Sequence, residues 1–424
     1  MPATPSPSAM SPGLIVLVLS MLLGLQPIAT DLYLPALPAL TSGFGAPMSQ
    51  AQLTLTALLL CFGVSQLVWG PLSDRFGRRP VLIVGMSTFV VAAIGSTLAP
   101  SMEQLIVWRA VQGVALGAGV MCARAIVRDL YAPNEGARVM SKGLTGLGLI
   151  ACTASPLGGL LSDLFSWRIS LLSLAVFGAI ALVVVAWRFE ETLATKNPRA
   201  LEPRTLLANW ALIGRHPTFW AYALLSTASY GGLFTFLAAS SFVFIRVLGL
   251  STTAYGLVMF SMSLVYILGT FLCRHLLPRV GVRRAVAIAG CLTLSAGTVM
   301  GVLGLMGVRS MWAILVPFWL FMLAHGVHQP CSQSGAVGPF PQAAGAASAL
   351  SGFLSMVVAF AIGGWLGKSL AGISQGQGSV LPLTHGVWFW SVMIALTAWT
   401  LVQRHGEARP ALQRTAPVAP ASAP

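Results

Sequence analysis

Twelve stretches of this 424-residue chain are long and apolar enough to cross a bilayer: 14–38, 50–71, 81–99, 103–125, 139–161, 169–188, 217–245, 254–275, 285–306, 312–331, 346–370 and 382–403. A spanning helix needs about 20 predominantly apolar residues. In hydrocarbon every backbone polar group must be satisfied within the protein, so spans of this length are helices. The expected fold is therefore an all-α membrane protein with 12 transmembrane helices. A large, greasy soluble enzyme is the other way to read a mean hydropathy of +0.83. Charged residues are only 8% of the chain, however, where a soluble domain carries about a quarter.

The first stretch is not read as a cleaved signal. It has no basic n-region, the first Lys or Arg being Arg75. It also runs through Gln26, Pro27, Asp31 and Pro35, which suits a retained span.

A formal charge of +14 raises the question of nucleic acid, and the placement of the charge answers it. Arg75, Arg78 and Arg79 follow span 2, and Arg124, Arg128, Arg138 and Lys142 follow span 4. Arg188, Lys196, Arg199, Arg204 and Arg215 follow span 6; Arg274, Arg279, Arg283 and Arg284 follow span 8; Arg404, Arg409 and Arg414 close the chain. Basic residues concentrated in alternate loops face the cytoplasm, so both termini are expected there. The partners implied are the lipid bilayer and not nucleic acid. All six cysteines lie in or at the ends of apolar spans without a CxxC pair, which argues against disulfides and zinc. No cofactor is implied. Of the twelve tryptophans, Trp69, Trp108, Trp167, Trp187 and Trp312 lie near span ends and read as interfacial anchors.

The organisation expected is a short tail (1–13), a six-helix half (14–188), a cytoplasmic linker (189–216), a second six-helix half (217–404) and an Ala/Pro-rich, disordered tail (405–424). The halves echo each other. Arg75-Phe76-Gly77-Arg78-Arg79 after span 2 returns as Arg279-Val280-Gly281-Val282-Arg283 after span 8, displaced by 204 residues. Parallel repeats with a central site are a transporter architecture.

Gly70-Pro-Leu-Ser-Asp74-Arg75-Phe-Gly77-Arg78-Arg79 resembles the signature loop of the major facilitator superfamily, and Arg109-Ala-Val-Gln112-Gly113 resembles that family's Arg-x-x-Gln-Gly motif. Asp31-Leu-Tyr33-Leu-Pro35-Ala-Leu-Pro38 and Arg124-Ala-Ile-Val-Arg128-Asp129-Leu-Tyr131 are similar to the bicyclomycin/chloramphenicol-resistance (Bcr/CflA) subfamily of drug:proton antiporters. Trp167-Arg168 and the run from Pro339 to Gly345 fit the same subfamily. The resemblance implies a multi-pass protein of the bacterial inner membrane, working as a monomer, that exports small amphipathic compounds such as antibiotics in exchange for protons. One motif departs. Such antiporters carry a Gly-Pro-x-x-Gly-Gly-like run in span 5, and here it is Ser155-Pro156-Leu157-Gly158-Gly159. That departure keeps a second reading open, a proton symporter importing a metabolite. A membrane enzyme is not indicated, since no HExxH, GxSxG or P-loop occurs.

Asp31 lies well inside an apolar span with no basic neighbour in sequence, and a carboxylate there is a functional candidate by default. Arg109 is similarly placed in span 4. Counting about 1.5 Å per residue puts Asp31 about 13 Å and Arg109 about 12 Å from the same side, in one layer. The expectation is that Asp31 carries the coupling proton beside Arg109; the alternative is a static buried ion pair. Gly70, Asp74, Arg75, Gly77, Arg78, Arg79, Arg124 and Arg128 are expected to form a cytoplasmic gate. Asp74 would accept from the arginines and reach the positive end of the span 11 helix dipole, a contact worth about 1 kcal/mol. The alternative is a loop that only sets topology. Tyr33, Gln112, Tyr230, Phe234 and Phe236 are candidates for the substrate site, although aromatics in spans also face lipid or other helices. His325 and His328, three apart, form a candidate second proton or substrate site or else a hydrogen-bonded structural pair. Gly113-x-x-x-Gly117 and Gly345-x-x-x-Ala349 are expected to pack helices closely.

Overall fold

A computed structural model describes residues 10–131, 133–198, 200–340, 343–370 and 379–406. Arg199, Arg409, Arg414, Pro341, Gln342 and nearly all of both tails lie outside the described residues. The helices are α1 (Pro12–Asp31), α2 (Leu37–Phe44), α3 (Met48–Phe76), α4 (Arg78–Leu98), α5 (Met102–Leu130), α6 (Pro133–Leu164) and α7 (Trp167–Arg188). They continue as α8 (Pro203–Gly214), α9 (Pro217–Ser241), α10 (Thr252–Leu305), α11 (Met311–Val337), α12 (Ala344–Ser369), α13 (Leu381–Trp399) and α14 (Leu401–His405). Among the described residues there is no strand, and 11 helical stretches are long and apolar enough to span a membrane.

The difference from twelve has a local cause. Spans 8 and 9 run together as α10, a 54-residue helix broken internally at Gly281, where φ is 75° and ψ 169°. Gly77, between α3 and α4, takes a matching φ of 110° and ψ of 160°. That region of backbone space is essentially open to glycine alone. The two glycines of the five-residue echo thus share a conformation as well as a sequence position. Span 1 is also broken. Pro35 has no N–H to offer the carbonyl of Asp31, so α1 ends at that residue and the chain passes through a 3₁₀ turn, Leu34–Ala36, into α2. The 189–216 segment contains a helix of its own, α8, lying against α9 and α12.

Within the bundle, α3 and α4 pack on α5, α1 on α6, α4 on α7, and α9 on α11, α12 and α13, while α10 packs on α11 and α13. The main contacts from α1–α7 to α9–α13 are two seams, α3 on α12 and α6 on α10. Gly113 and Gly117 bring α5 against α3, since a Cβ at either position would overlap Leu58 or Ser65. Gly345 meets nothing within 4 Å, so the second small-residue pair does not mark a close crossing. The outer surface exposes Val84, Val91, Ile180, Leu264 and Leu396, each more than 40% accessible. A water-soluble fold would cover such a belt; a bilayer solvates it. Trp187 (83%) and Trp312 (56%) stand out from span ends as anchors do, whereas Trp167 (8%) is buried.

Candidate functional site

Asp31 sits at the C-terminus of α1 with part of its surface open. Its carboxylate accepts a hydrogen bond from the Thr30 hydroxyl at 2.8 Å, and among the described residues it makes no ion pair. It lies within electrostatic reach of Tyr230 on α9 and Tyr255 on α10. The Tyr255 hydroxyl is 2.8 Å from Ser240 Oγ, and Tyr230 stacks on Phe234 with ring centroids 6.2 Å apart. The acid of α1 therefore has tyrosines of α9 and α10 in its electrostatic surroundings.

The expected Asp31–Arg109 pair is not formed. Arg109 is fully buried and donates to Ala29 O at 2.7 Å, Gln112 Oε1 at 2.6 Å and Thr54 O at 3.4 Å. Its guanidinium lies 4.3 Å over the Tyr33 ring, whose hydroxyl is 2.6 Å from Thr54 Oγ1. Arg109 thus ties α5 to α1 and α3 through carbonyls and a cation–π contact. Depth along the spans was readable from residue counts; direction around α1 was not.

The candidate substrate residues divide sharply. Tyr230 is partly open. Tyr33, Gln112, Phe234 and Phe236 are at most 1% exposed, and Phe236 stacks on Phe318 at 3.8 Å. In this conformation those four are buried. The histidines do not act together either. His325 Nδ1 is 2.8 Å from Ser229 Oγ on α9, while His328 Nε2 is 3.2 Å from Thr293 Oγ1 on α10. Each is hydrogen-bonded to a different helix.

The altered motif in α6 is a wedge. A Cβ on Gly158 would overlap the carbonyl of Leu32, next to Asp31, and one on Gly159 would overlap that of Thr252 at the start of α10. One turn further on, Asp163 accepts from Thr253 N at 2.8 Å, from Thr253 Oγ1 at 2.5 Å and from the Thr252 hydroxyl. A carboxylate on those groups caps the N-terminus of α10. Nearby, Arg246 donates to Pro38 O at 2.7 Å and to the Ser42 hydroxyl. These ties close the end of the bundle opposite the basic loops. Sequence reasoning missed both residues, because their partners are 89 and 204 positions away. Losing a cap costs about 1 kcal/mol, roughly fivefold in an open-to-closed ratio. Asp163→Ala should therefore raise the alkylation rate of a Met48→Cys reporter, beside Arg246, about fivefold with an impermeant maleimide. An unchanged rate would mean the seam closes without Asp163.

At the basic end, Arg78 is the hub. It is 1% exposed and donates to Asp129 Oδ2 at 2.8 Å and Oδ1 at 3.3 Å, to Asp74 Oδ1 at 2.7 Å and to Ser73 Oγ at 2.7 Å. Arg128 reaches Asp74 at 3.5 Å, Arg75 lies over Phe76, and Arg79 donates to Ala186 O at 2.8 Å. Glu191 accepts the N–H groups of Arg78 at 2.9 Å and Arg79 at 3.1 Å, capping α4. At Gly77, with φ of 110°, a Cβ would be strained and would displace the Glu191 carboxylate. Gly70 leaves room for Met121. Among the described residues Asp74 makes no hydrogen bond or ion pair to α12. The contact to α12 comes from Arg124, which donates to Ser348 Oγ at 2.5 Å. Asp129 and Glu191 are the partners that sequence reasoning left without a role. Their acidic character beside a basic loop was the available signal.

Comparison with known proteins follows the same outline. The sequence profile described as Major Facilitator Superfamily matches residues 19–364. The chain is 32% identical over 343 residues to Multidrug resistance protein D of Escherichia coli (strain K12), covering 81% of this chain and 86% of that protein. It is 26% identical to a Bicyclomycin resistance protein homolog of Haemophilus influenzae, covering 91% and 94%. It is 29% identical to a Chloramphenicol resistance protein of Pseudomonas aeruginosa, covering 82% of each. Among solved structures, a D-xylose-proton symporter superposes with a TM-score of 0.68 at 15% identity, covering 93% of this chain and 99% of that one. At that identity the likeness concerns the fold.

Proposed function

Because the chain belongs to the Major Facilitator Superfamily, and within it to the Bcr/CflA group of drug:proton antiporters, we propose that it is a proton-coupled multidrug efflux transporter. The observation that carries the reading is the likeness to drug-resistance proteins along 81–91% of the chain. The exported compounds are small and amphipathic, and alternating access moves them. Residues 14–188 and 217–404 act as two six-helix halves joined by 189–216, rocking about the α3–α12 and α6–α10 seams. One chain carries both halves and works as a monomer in the bacterial inner membrane, with both termini in the cytoplasm.

Asp31 exchanges the coupling proton. It is partly open, and among the described residues its hydrogen-bond donor is the Thr30 hydroxyl and no cation pairs with it. Arg109 takes a different part from the one its depth suggested, fixing the bend of α1 so that Asp31 is presented to Tyr230 and Tyr255. Arg124 and Ser348 form the breakable tie at the cytoplasmic side, while the Arg78 cluster keeps the α3–α4 loop rigid. Metabolite import has no comparable support, since the symporter likeness rests on fold alone.

Expression in a pump-deficient bacterium tests the reading. The expected result is at least fourfold higher minimal inhibitory concentrations for several lipophilic antibiotics, above the about twofold scatter of such assays, and accumulation that returns to control levels with a protonophore. Unchanged susceptibility together with proton-dependent uptake of a metabolite would replace efflux with symport.

A further inference from the structure

Two of the six cysteines, 58 positions apart, meet in the fold. Cys273 on α10 and Cys331 on α11 bring their Sγ atoms to 3.8 Å, and both residues are buried. Two glycines explain the approach. A Cβ on Gly326 would lie 2.6 Å from the backbone of Gly269, and one on Gly269 would overlap the Leu323 carbonyl. The helices therefore cross backbone to backbone, as small residues allow. Cys273 follows Gly269 and Cys331 follows Gly326 by about one helical turn, so the sulfurs face each other just past the crossing. The pair lies at the end of the bundle that carries the basic loops. Arg274 and His275 beside Cys273 are exposed, as is Gln333 close after Cys331. Among the described residues no other two cysteine sulfurs are in contact, and no third His, Cys, Asp or Glu joins these two to complete a metal site. All six thiols are free in this structure.

We propose that Cys273 and Cys331 form a redox modification site, a dithiol that hydrogen peroxide converts to a disulfide joining α10 to α11. One thiolate attacks a peroxide oxygen and the O–O bond breaks. The hydroxide that leaves takes up the proton lost from that thiol, and the sulfur is left as a sulfenic acid. The second thiolate displaces hydroxide from that sulfur, the S–O bond breaks and the S–S bond forms. This hydroxide takes the second proton. Two thiols thus give up two electrons and two protons, and one peroxide becomes two waters. Thiol reductants reverse the change by exchange. At the end that the basic loops assign to the cytoplasm, free thiols are the resting state and the disulfide is a transient response to oxidant. Both cysteines belong to residues 217–404, so the bond staples that half internally and crosses neither the α3–α12 nor the α6–α10 seam. Nothing in this site depends on the direction of transport or on Asp31.

Peroxide treatment of the reduced full chain in detergent, followed by alkylation, proteolysis and mass spectrometry, tests it. A peptide holding Cys273 should be found joined to one holding Cys331, both thiols should escape alkylation, and dithiothreitol should restore them. Closing so long a loop should also raise the unfolding midpoint by about 5 °C. Cys331→Ala should show neither the link nor the rise, and its cooperative unfolding before treatment verifies its fold; Cys273→Ala is the matching second variant. Both thiols still alkylated after peroxide, separate sulfinic acids at the two positions, or a link from either to another cysteine overturns the proposal. A Cys273–Cys331 link that leaves the midpoint unchanged overturns the staple.

Discussion

Asp31→Asn is expected to abolish proton-driven efflux while leaving a folded protein in the membrane. Among the described acids, Asp31 is the one inside an apolar span without an ion pair to a described cation; it accepts a hydrogen bond from Thr30 and lies within electrostatic reach of tyrosines of α9 and α10. Asparagine has nearly the same shape and can still accept the Thr30 hydrogen bond, but it cannot bind and release a proton. Active efflux should drop to the background of the empty membrane, a loss of about a hundredfold or more, in the range seen when an essential proton-transfer group is removed. Substrate exchange down its own gradient should persist, since it needs alternating access and no proton. That second measurement separates loss of coupling from loss of binding. If the variant still drives efflux that a protonophore collapses, Asp31 is not the coupling group.

The largest loss of stability should come from Arg78→Ala. Removing one member of a buried ion pair costs about 3–5 kcal/mol, because the remaining charge stays buried without a partner. Here the residue left behind is chiefly Asp129, 11% exposed and then held only by long contacts to Arg128 at 3.9 Å and Thr192 at 3.5 Å, since Asp74 is 39% exposed and keeps Arg128. The unfolding midpoint in detergent should fall well below that of Arg124→Ala, which loses one hydroxyl contact. Replacing Asp129 by alanine in the Arg78→Ala background should recover part of the loss, the non-additivity expected of neighbours in one network. A wild-type melting curve for Arg78→Ala would mean the cluster contributes nothing to the fold.

The spans were legible because length and hydropathy alone decide which segments a bilayer accepts. The glycine echo was legible because Gly77 and Gly281 occupy a backbone region where other residues are strained. Asp31 and Arg109 were found by charge in an apolar run, and their common depth followed from counting. Their pairing failed because a count of residues does not fix azimuth, and the acceptors that satisfy Arg109 are backbone carbonyls that every sequence possesses. Phe234 and Phe236 are buried in this conformation, and an aromatic ring suits a pocket wall and a packed core equally. Asp163 and Arg246 carried no signal at all. Each completes a helix end or a turn distant in sequence, and only the assembled bundle brings those groups within reach.

The wedge in α6 has a mechanical consequence. Gly158 and Gly159 are consecutive, so their contacts with Leu32 and with Thr252 turn together on one rigid shaft. Under the proposed mechanism, α10 cannot swing away without dragging the residue beside Asp31, and Asp31 cannot change its exposure while α10 stays still. Under that mechanism such a cam would disfavour a state in which the carboxylate is open to both compartments. An idle copy in the membrane would not short-circuit the proton gradient, and a cell could keep the transporter ready between exposures without a standing leak.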